Sequence, residues 1–214
     1  MKVGFVSLGC SKNLIDTEIA IGILKEHGME IVNNPEDAEM IIVNTCGFID
    51  PAKEEAINTI LEMAEYKKKK CKYLIAMGCL VQRYTDDLKK ALPEVDLWIR
   101  LDKYDKFYTA IEELINNKVE DNKKYGEIKT YPKEPLPLAS KEEFLGREIS
   151  TGENFAYIKI GEGCSNRCTY CVIPFIRGPF VSRPEEDIIE EARLLAKKGI
   201  KELIVIAQDT TKYG

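Results

Sequence analysis

Seven cysteines stand in this chain, at positions 10, 46, 71, 79, 164, 168 and 171. Three of them sit within Gly163-Cys164-Ser165-Asn166-Arg167-Cys168-Thr169-Tyr170-Cys171, with the spacing Cys-x3-Cys-x2-Cys. A cubane of four irons takes one protein ligand per iron, so three thiolates leave one iron open to a small chelating molecule. Electron-transfer clusters normally have four cysteines, and a structural zinc closes its tetrahedron with four ligands. A zinc knuckle short of its fourth ligand and a purely structural cysteine group are the alternatives. An odd number of cysteines in a chain that opens with no export signal points to metal binding rather than to disulfides.

Cys10, Cys46 and Cys79 are distant in sequence but equivalent in position, since each follows a strand-like run, at residues 3–8, 40–43 and 73–77. In a parallel sheet the carboxy-terminal ends of all strands share one edge, so three separate loops can bring their thiols together there. The alternative is three small buried apolar residues, because free cysteine is among the most buried types. Gly9, Gly47 and Gly78, each beside one of these cysteines, allow backbone to approach something bulky. Cys71 precedes its strand, falls at the opposite edge and is read as structural.

The elements that position these residues alternate in type. Residues 3–8 read as a strand, followed by Asn13 as a helix cap and by Ile15, Ile19, Ile23 and Leu24 at helical spacing up to Gly28. A short strand at 30–32 and a clear one at 40–43 precede Asp50-Pro51, read as an N-cap and a proline at the first helical position, then Ala56, Ile57, Ile60, Leu61 and Ala64. Strand 73–77, a helix at 81–92, strand 97–101 and a helix carrying Tyr104, Phe107, Ile111, Leu114 and Ile115 complete an α/β unit over residues 1–117: a parallel sheet in three layers, with helices on both faces. Residues 118–154, with Pro132, Pro135 and Pro137, read as a linker. Residues 155–214 resume with a strand at 155–160, a helix at 184–198 and a strand at 202–207. Lys67–Lys70 with Lys72 read as a hydrated helix end, and His27 as another helix-end residue.

Composition narrows the chemistry. The 214 residues carry 31 Lys and Arg against 36 Asp and Glu, a net charge of −5, without the broad basic footprint of a general nucleic-acid binder. His27 is the one histidine, which excludes histidine-based triads, two-histidine zinc sites and facial-triad iron sites. Apolar runs fall far short of the ~18–20 residues that cross a bilayer, so a soluble, cytoplasmic protein without a membrane partner is expected.

Cys164-x3-Cys168-x2-Cys171, with Tyr170 before the third cysteine, resembles the signature of the radical S-adenosylmethionine enzymes. In that superfamily the open iron chelates S-adenosylmethionine, whose reductive cleavage yields a carbon radical. Ser7-Leu8-Gly9-Cys10-Ser11-Lys12-Asn13, Asn44-Thr45-Cys46-Gly47-Phe48-Ile49-Asp50 and Gly78-Cys79-Leu80-Val81-Gln82-Arg83-Tyr84 resemble the amino-terminal domain of the methylthiotransferases within that superfamily. Ile176-Arg177-Gly178, Ser182-Arg183-Pro184 and residues 206–214 resemble their radical domain, so the second part is expected to begin a partial (β/α) barrel. The first two amino-terminal motifs look like the branch that modifies a ribosomal protein; the branch that modifies tRNA is the alternative, and a non-catalytic iron–sulfur carrier is the alternative from another class.

The resemblance implies two [4Fe-4S] clusters, one held by Cys10, Cys46 and Cys79 and one by Cys164, Cys168 and Cys171. It implies S-adenosylmethionine as cofactor, with Tyr170 close to it; Gln208 and Asp209 follow the strand at 202–207, fall at the mouth of such a barrel and are read as facing that cofactor, with ordinary loop polarity as the alternative. The implied reaction replaces a C–H bond by C–S–CH3 on the β-carbon of an aspartate in a small-subunit ribosomal protein. An external electron donor is implied and direct nucleic-acid binding is not. The cysteine-bearing sheet edge is then expected to face the barrel mouth. Residues 155–214 hold about two of the ~30-residue units of such a barrel, so the chain reads as an amino-terminal piece of a longer enzyme, with an exposed sheet edge.

Overall fold

In a computed structural model the described residues are 1–117 and 132–214. Five parallel strands, β1 (Lys2–Ser7), β2 (Glu30–Val32), β3 (Met40–Thr45), β4 (Tyr73–Gly78) and β5 (Leu97–Ile99), form one sheet in the order β2-β1-β3-β4-β5. Because β3 and β4 are covered on both faces, they read as continuous apolar runs rather than as alternating ones. Ile41, Val43, Leu74 and Ala76 face one helical layer, and Met40, Ile42, Ile75 and Met77 face the other. Helices α2 (Asp50–Ala64) and α3 (Cys79–Ala91) make the first layer. Helices α1 (Ser11–Glu26) and α4 (Phe107–Ile115) make the second.

The strand order reverses between β1 and β3, since the chain leaves β1 toward β2 and returns to the other side. Loops on the two sides of such a switch point diverge and leave a crevice at the carboxy-terminal edge. The residues that follow β1, β3 and β4 lie on three neighbouring strands, about 4.8 Å apart from one to the next.

Two helix starts differ from the pattern read in sequence. The N-cap of α1 is Cys10, and Asn13 lies inside the helix, fully buried. The N-cap of α2 is Ile49; Asp50 is its first residue, with a carboxylate oxygen 2.5 Å from Lys53 Nζ. Asn13 is drawn away from capping because its side chain finds two buried carbonyls on other segments. The run Lys67–Lys70 with Lys72 pairs with Asp96, Glu65, Glu36, Asp37 and Glu39 at the surface. The His27 ring stacks on Tyr108 with centroids 3.5 Å apart.

Of the expected linker, residues 118–131 lie outside the described residues, and residues 132–154 are mostly exposed or half-buried but anchor three buried side chains. Helix α5 (Lys141–Gly146) starts with a capping box between Ser140 and Glu143 and buries Phe144. Leu136 and Arg147 are buried as well. Beyond it, β6 (Phe155–Lys159), β7 (Gly161–Glu162), α6 (Ile173–Arg177), β8 (Val181–Ser182), α7 (Glu185–Lys197) and β9 (Glu202–Ile206) follow. Strand β9 pairs in parallel with β6, and β7 pairs antiparallel with β8. Leu203 and Val205 of β9 are exposed, Val205 by 52%.

The two parts meet along α1. Ile15 and Ile19 pack with Phe144 and Ile206, and charges fill the remainder. Glu18 accepts from Arg147 and from Ser150, and Arg147 and Arg183 both reach Glu191, the last three all buried. The Arg183 guanidinium also lies over the Phe144 ring, 3.4 Å from its centroid. Gly22 makes this approach possible, since a Cβ there would collide with the Gly146 carbonyl and lie 3.1 Å from Arg147 Cα. In an ordinary helix Gly→Ala stabilises by about 1 kcal/mol. Gly22→Ala is expected to act in the opposite sense, costing about 1–3 kcal/mol through overpacking; chemical denaturation reads the sign directly.

Candidate metal centres

Cys10, Cys46 and Cys79 emerge at the same edge of the sheet, after β1, β3 and β4. Asn13 ties their loops together: Nδ2 donates to the Leu8 carbonyl at 3.1 Å and to the Thr45 carbonyl at 2.9 Å, and Oδ1 accepts from Cys79 Sγ at 3.5 Å. Asn44 adds a second tie, donating to the Asn13 carbonyl at 2.8 Å and to Thr17 Oγ1 at 3.0 Å. The neighbouring glycines make room. At Gly9, which has φ +88°, a Cβ would stand 2.8 Å from Cys46 Cβ and 3.2 Å from its sulfur. At Gly47 it would stand 2.8 Å from Leu80 Cα. Residues with side chains would therefore push the thiol-bearing loops apart.

All three cysteines are free thiols, Cys10 exposed, Cys46 half-buried and Cys79 buried. Burial pushes the Cys79 thiol from 9.0 up to about 11, against the pull of the Arg177 charge and hydrogen bond. As they stand, no three His, Cys, Asp or Glu side chains among the described residues converge tightly enough for a single metal ion. A four-iron cluster spreads its ligands more widely, and the donor set, three reduced thiols on neighbouring loops at one sheet edge, fits such a group. Cys71 lies apart at the opposite end of β4, buried in the core, with Sγ 3.3 Å from the Tyr73 carbonyl oxygen.

The second triad rides on the loop between β7 and α6. Cys164 N–H donates to the Gly178 carbonyl at 3.0 Å, and Cys171 N–H donates to the Cys168 carbonyl at 3.0 Å. Arg167 occupies the left-handed region at φ +50°, turning the chain so that three thiols are free around one loop. Two side-chain bonds pin the loop from outside: Asn166 Nδ2 to Asp209 Oδ2 at 2.7 Å, and Phe180 N–H to Ser165 Oγ at 3.0 Å. Gly163, at φ +75°, sits where a Cβ would press on the Gly178 and Pro179 carbonyls.

The residues expected near a cofactor divide. Tyr170 projects outward, 84% exposed. Asp209 caps the turn after β9 through Thr211 and holds Asn166, which keeps its carboxyl below the usual range. Gln208 Nε2 donates to Glu162 Oε1 at 3.0 Å while its own Oε1 is buried with no partner among the described residues. Glu162 is a residue that sequence reasoning missed. It accepts from Lys159 at 2.9 Å, Arg177 at 2.9 Å, Gly163 N–H at 3.0 Å and Gln208. Burial alone would raise its carboxyl, but the Arg177 and Lys159 charges hold it far below the usual carboxylate range. The signal that could have found it is its place directly before Gly163-Cys164.

Residues 2–100 match the family described as uncharacterized protein family UPF0004, and residues 158–214 match the radical SAM superfamily. The chain is 57% identical over 214 residues to the ribosomal protein uS12 methylthiotransferase RimO of Alkaliphilus oremlandii (strain OhILAs), covering all of this chain and 45% of that protein. To the protein of the same name from Acetivibrio thermocellus it is 54% identical over 215 residues, covering 46% of that protein. The chain thus spans about half the length of the curated relatives it matches. Among solved structures, the radical S-adenosylmethionine methyltransferase TsrM from Kitasatospora setae, with tryptophan substrate and the SAM analog aza-SAM bound, superposes with a TM-score of 0.61. Identity there is 12%, over 97% of this chain and 48% of that one, a likeness of fold.

The thiols differ in a way that alkylation can read. Nucleophilic attack needs thiolate, and a pKa of about 11 instead of 9.0 leaves roughly 100-fold less of it at pH 8. In the metal-free chain Cys10 and Cys168 are expected to take iodoacetamide first and Cys79 at least tenfold more slowly, by mass spectrometry of timed digests.

Proposed function

We propose that this chain, whose amino-terminal domain belongs to the UPF0004 family and whose carboxy-terminal part belongs to the radical SAM superfamily, is the amino-terminal portion of a methylthiotransferase acting on ribosomal protein uS12. The reaction converts a C–H bond to C–S–CH3 on the β-carbon of an aspartate, the outcome implied by the resemblance of its motifs. Relatives 57% and 54% identical over the whole chain carry that name. The observation that carries the reading is that Cys10, Cys46 and Cys79 follow β1, β3 and β4 at one edge of the sheet, in a chain that also carries the loop of Cys164, Cys168 and Cys171.

Two [4Fe-4S] clusters are assigned, one to each triad. When bound, the cluster of the second triad supplies an open iron for S-adenosylmethionine and the electron that cleaves it, and the other supplies the sulfur site for transfer. The protein's share is positional and protonic. Cys79 gives up a proton to become a ligand, because a metal takes the thiolate form. Asn13 keeps the β1 and β3 loops at one height, while Asn166 and Asp209 hold the second loop against the mouth of the β6–β9 pair. Gln208, with its buried and unpartnered Oε1, is a donor–acceptor group available to the cofactor there.

Anaerobic reconstitution tests the assignment. About eight irons are expected in the intact protein, four per cubane, and about four after joint replacement of Cys164, Cys168 and Cys171 by alanine; Cys71→Ala is expected to keep the full complement. Loss of all iron from the triple variant would overturn the division of ligands. In the full-length enzyme, methylthiolation of tRNA in place of uS12 would overturn the substrate.

A further inference from the structure

Arg177 ends α6 and is 2% exposed, although it carries a full charge. Its Nη1 donates to Glu162 Oε2 at 2.9 Å. Its Nη2 donates to Asn13 Oδ1 at 2.7 Å and to Asp16 Oδ2 at 2.9 Å, and the same Asn13 oxygen accepts from the Cys79 thiol. Lys159 completes the group, 2.8 Å from Asp16 and 2.9 Å from Glu162. Two carboxylates and two cations thus form a neutral, fully buried quartet.

The position of this quartet matters more than its strength. On one side Arg177 grips Asn13, the residue that joins the loops of Cys10 and Cys46 and accepts from the Cys79 thiol. On the other side it grips Glu162, whose second oxygen holds Gly163 N–H, while the carbonyl of the next residue, Gly178, holds Cys164 N–H. One guanidinium therefore spans the frames of both triads. It is not needed merely to join the two parts, because the Glu18, Arg147, Arg183 and Glu191 group and the packing of Ile15, Ile19, Phe144 and Ile206 already do so.

We infer that Arg177 is a positioning residue that fixes the first cysteine triad relative to the second, through simultaneous bonds to Asn13 and Asp16 on one side and Glu162 on the other. The inference deepens the two-cluster reading and rests on it for its catalytic meaning, but its geometry can be tested without iron. Lys159 also bridges Asp16 and Glu162, but only the guanidinium adds the bond to Asn13, and one compact ammonium at residue 177 cannot hold Asn13, Asp16 and Glu162 together as the planar fork does.

The test places spin labels on Cys10 and Cys168, both exposed, in the metal-free chain with Cys46, Cys164 and Cys171 changed to serine, leaving Cys71 and Cys79 buried. Pulsed dipolar spectroscopy is expected to give a narrow distance distribution when Arg177 is present. The charge-balanced pair Arg177→Met with Asp16→Asn, which leaves Lys159 facing Glu162, is expected to broaden it at least twofold. Arg177→Lys, with every charge kept, is expected to stay broad. An unchanged width in the double variant, or full recovery of the narrow distribution by lysine, would overturn the inference: in the second case charge alone suffices. Iron content of the wild-type protein judges the two-cluster reading separately. Where that reading holds, the double variant of the full-length enzyme is expected to bind wild-type iron, keep reductive S-adenosylmethionine cleavage and lose methylthiolation at least tenfold.

Discussion

Carboxylates buried away from water must be matched, and the architecture of this chain turns on matching the two that α1 carries into its interior. Asp16 and Glu18 leave the amino-terminal domain facing the second part, where desolvation of an unpaired ion would cost several kcal/mol. Each is answered by its own pair of cations and a second acid: Lys159, Arg177 and Glu162 for one, Arg147, Arg183 and Glu191 for the other. Ionic contacts of this kind tolerate little displacement, unlike apolar packing, so they set an angle as well as an attachment. Through Arg177 and Asn13 that setting reaches the Cys79 end of the sheet.

Much of this was legible in the residues themselves. Strands β3 and β4 announce themselves as unbroken apolar runs, and the three amino-terminal cysteines are recognisable because each follows a strand that must end at the same edge. The parts that escaped reading are long-range. Nothing local marks Asp16 or Glu191 as buried, because the partners that neutralise them lie up to 161 positions away. Asn13 looked like a cap because its residue type suits caps; tertiary contacts to Leu8 and Thr45 outbid the helix end. Residues 132–154 looked too polar and proline-rich for a core, and there the missing information was that Phe144 and Arg147 have a groove on α1 to enter, opened by Gly22.

Cys79 and Cys168 sit in opposite surroundings. Cys79 starts α3 inside a frame fixed by buried side-chain bonds, whereas Cys168 sits on an exposed loop whose shoulders are held by Ser165, Asn166 and the Cys164 amide. Gln208 joins the buried quartet from the loop after β9, through its bond to Glu162.

The distance along the chain between the members of the buried quartets bears on how the protein is made. The five-strand sheet has all its strands by residue 99, so it can form while synthesis continues, but Asp16 must then wait in water until Arg177, 161 residues later, has emerged. At ribosomal speeds that interval is on the order of 10 s. During it α1 presents a hydrated acidic stripe beside Ile15 and Ile19, and those two carboxylates keep a temporarily uncovered apolar face soluble until the second part of the chain arrives to cover it.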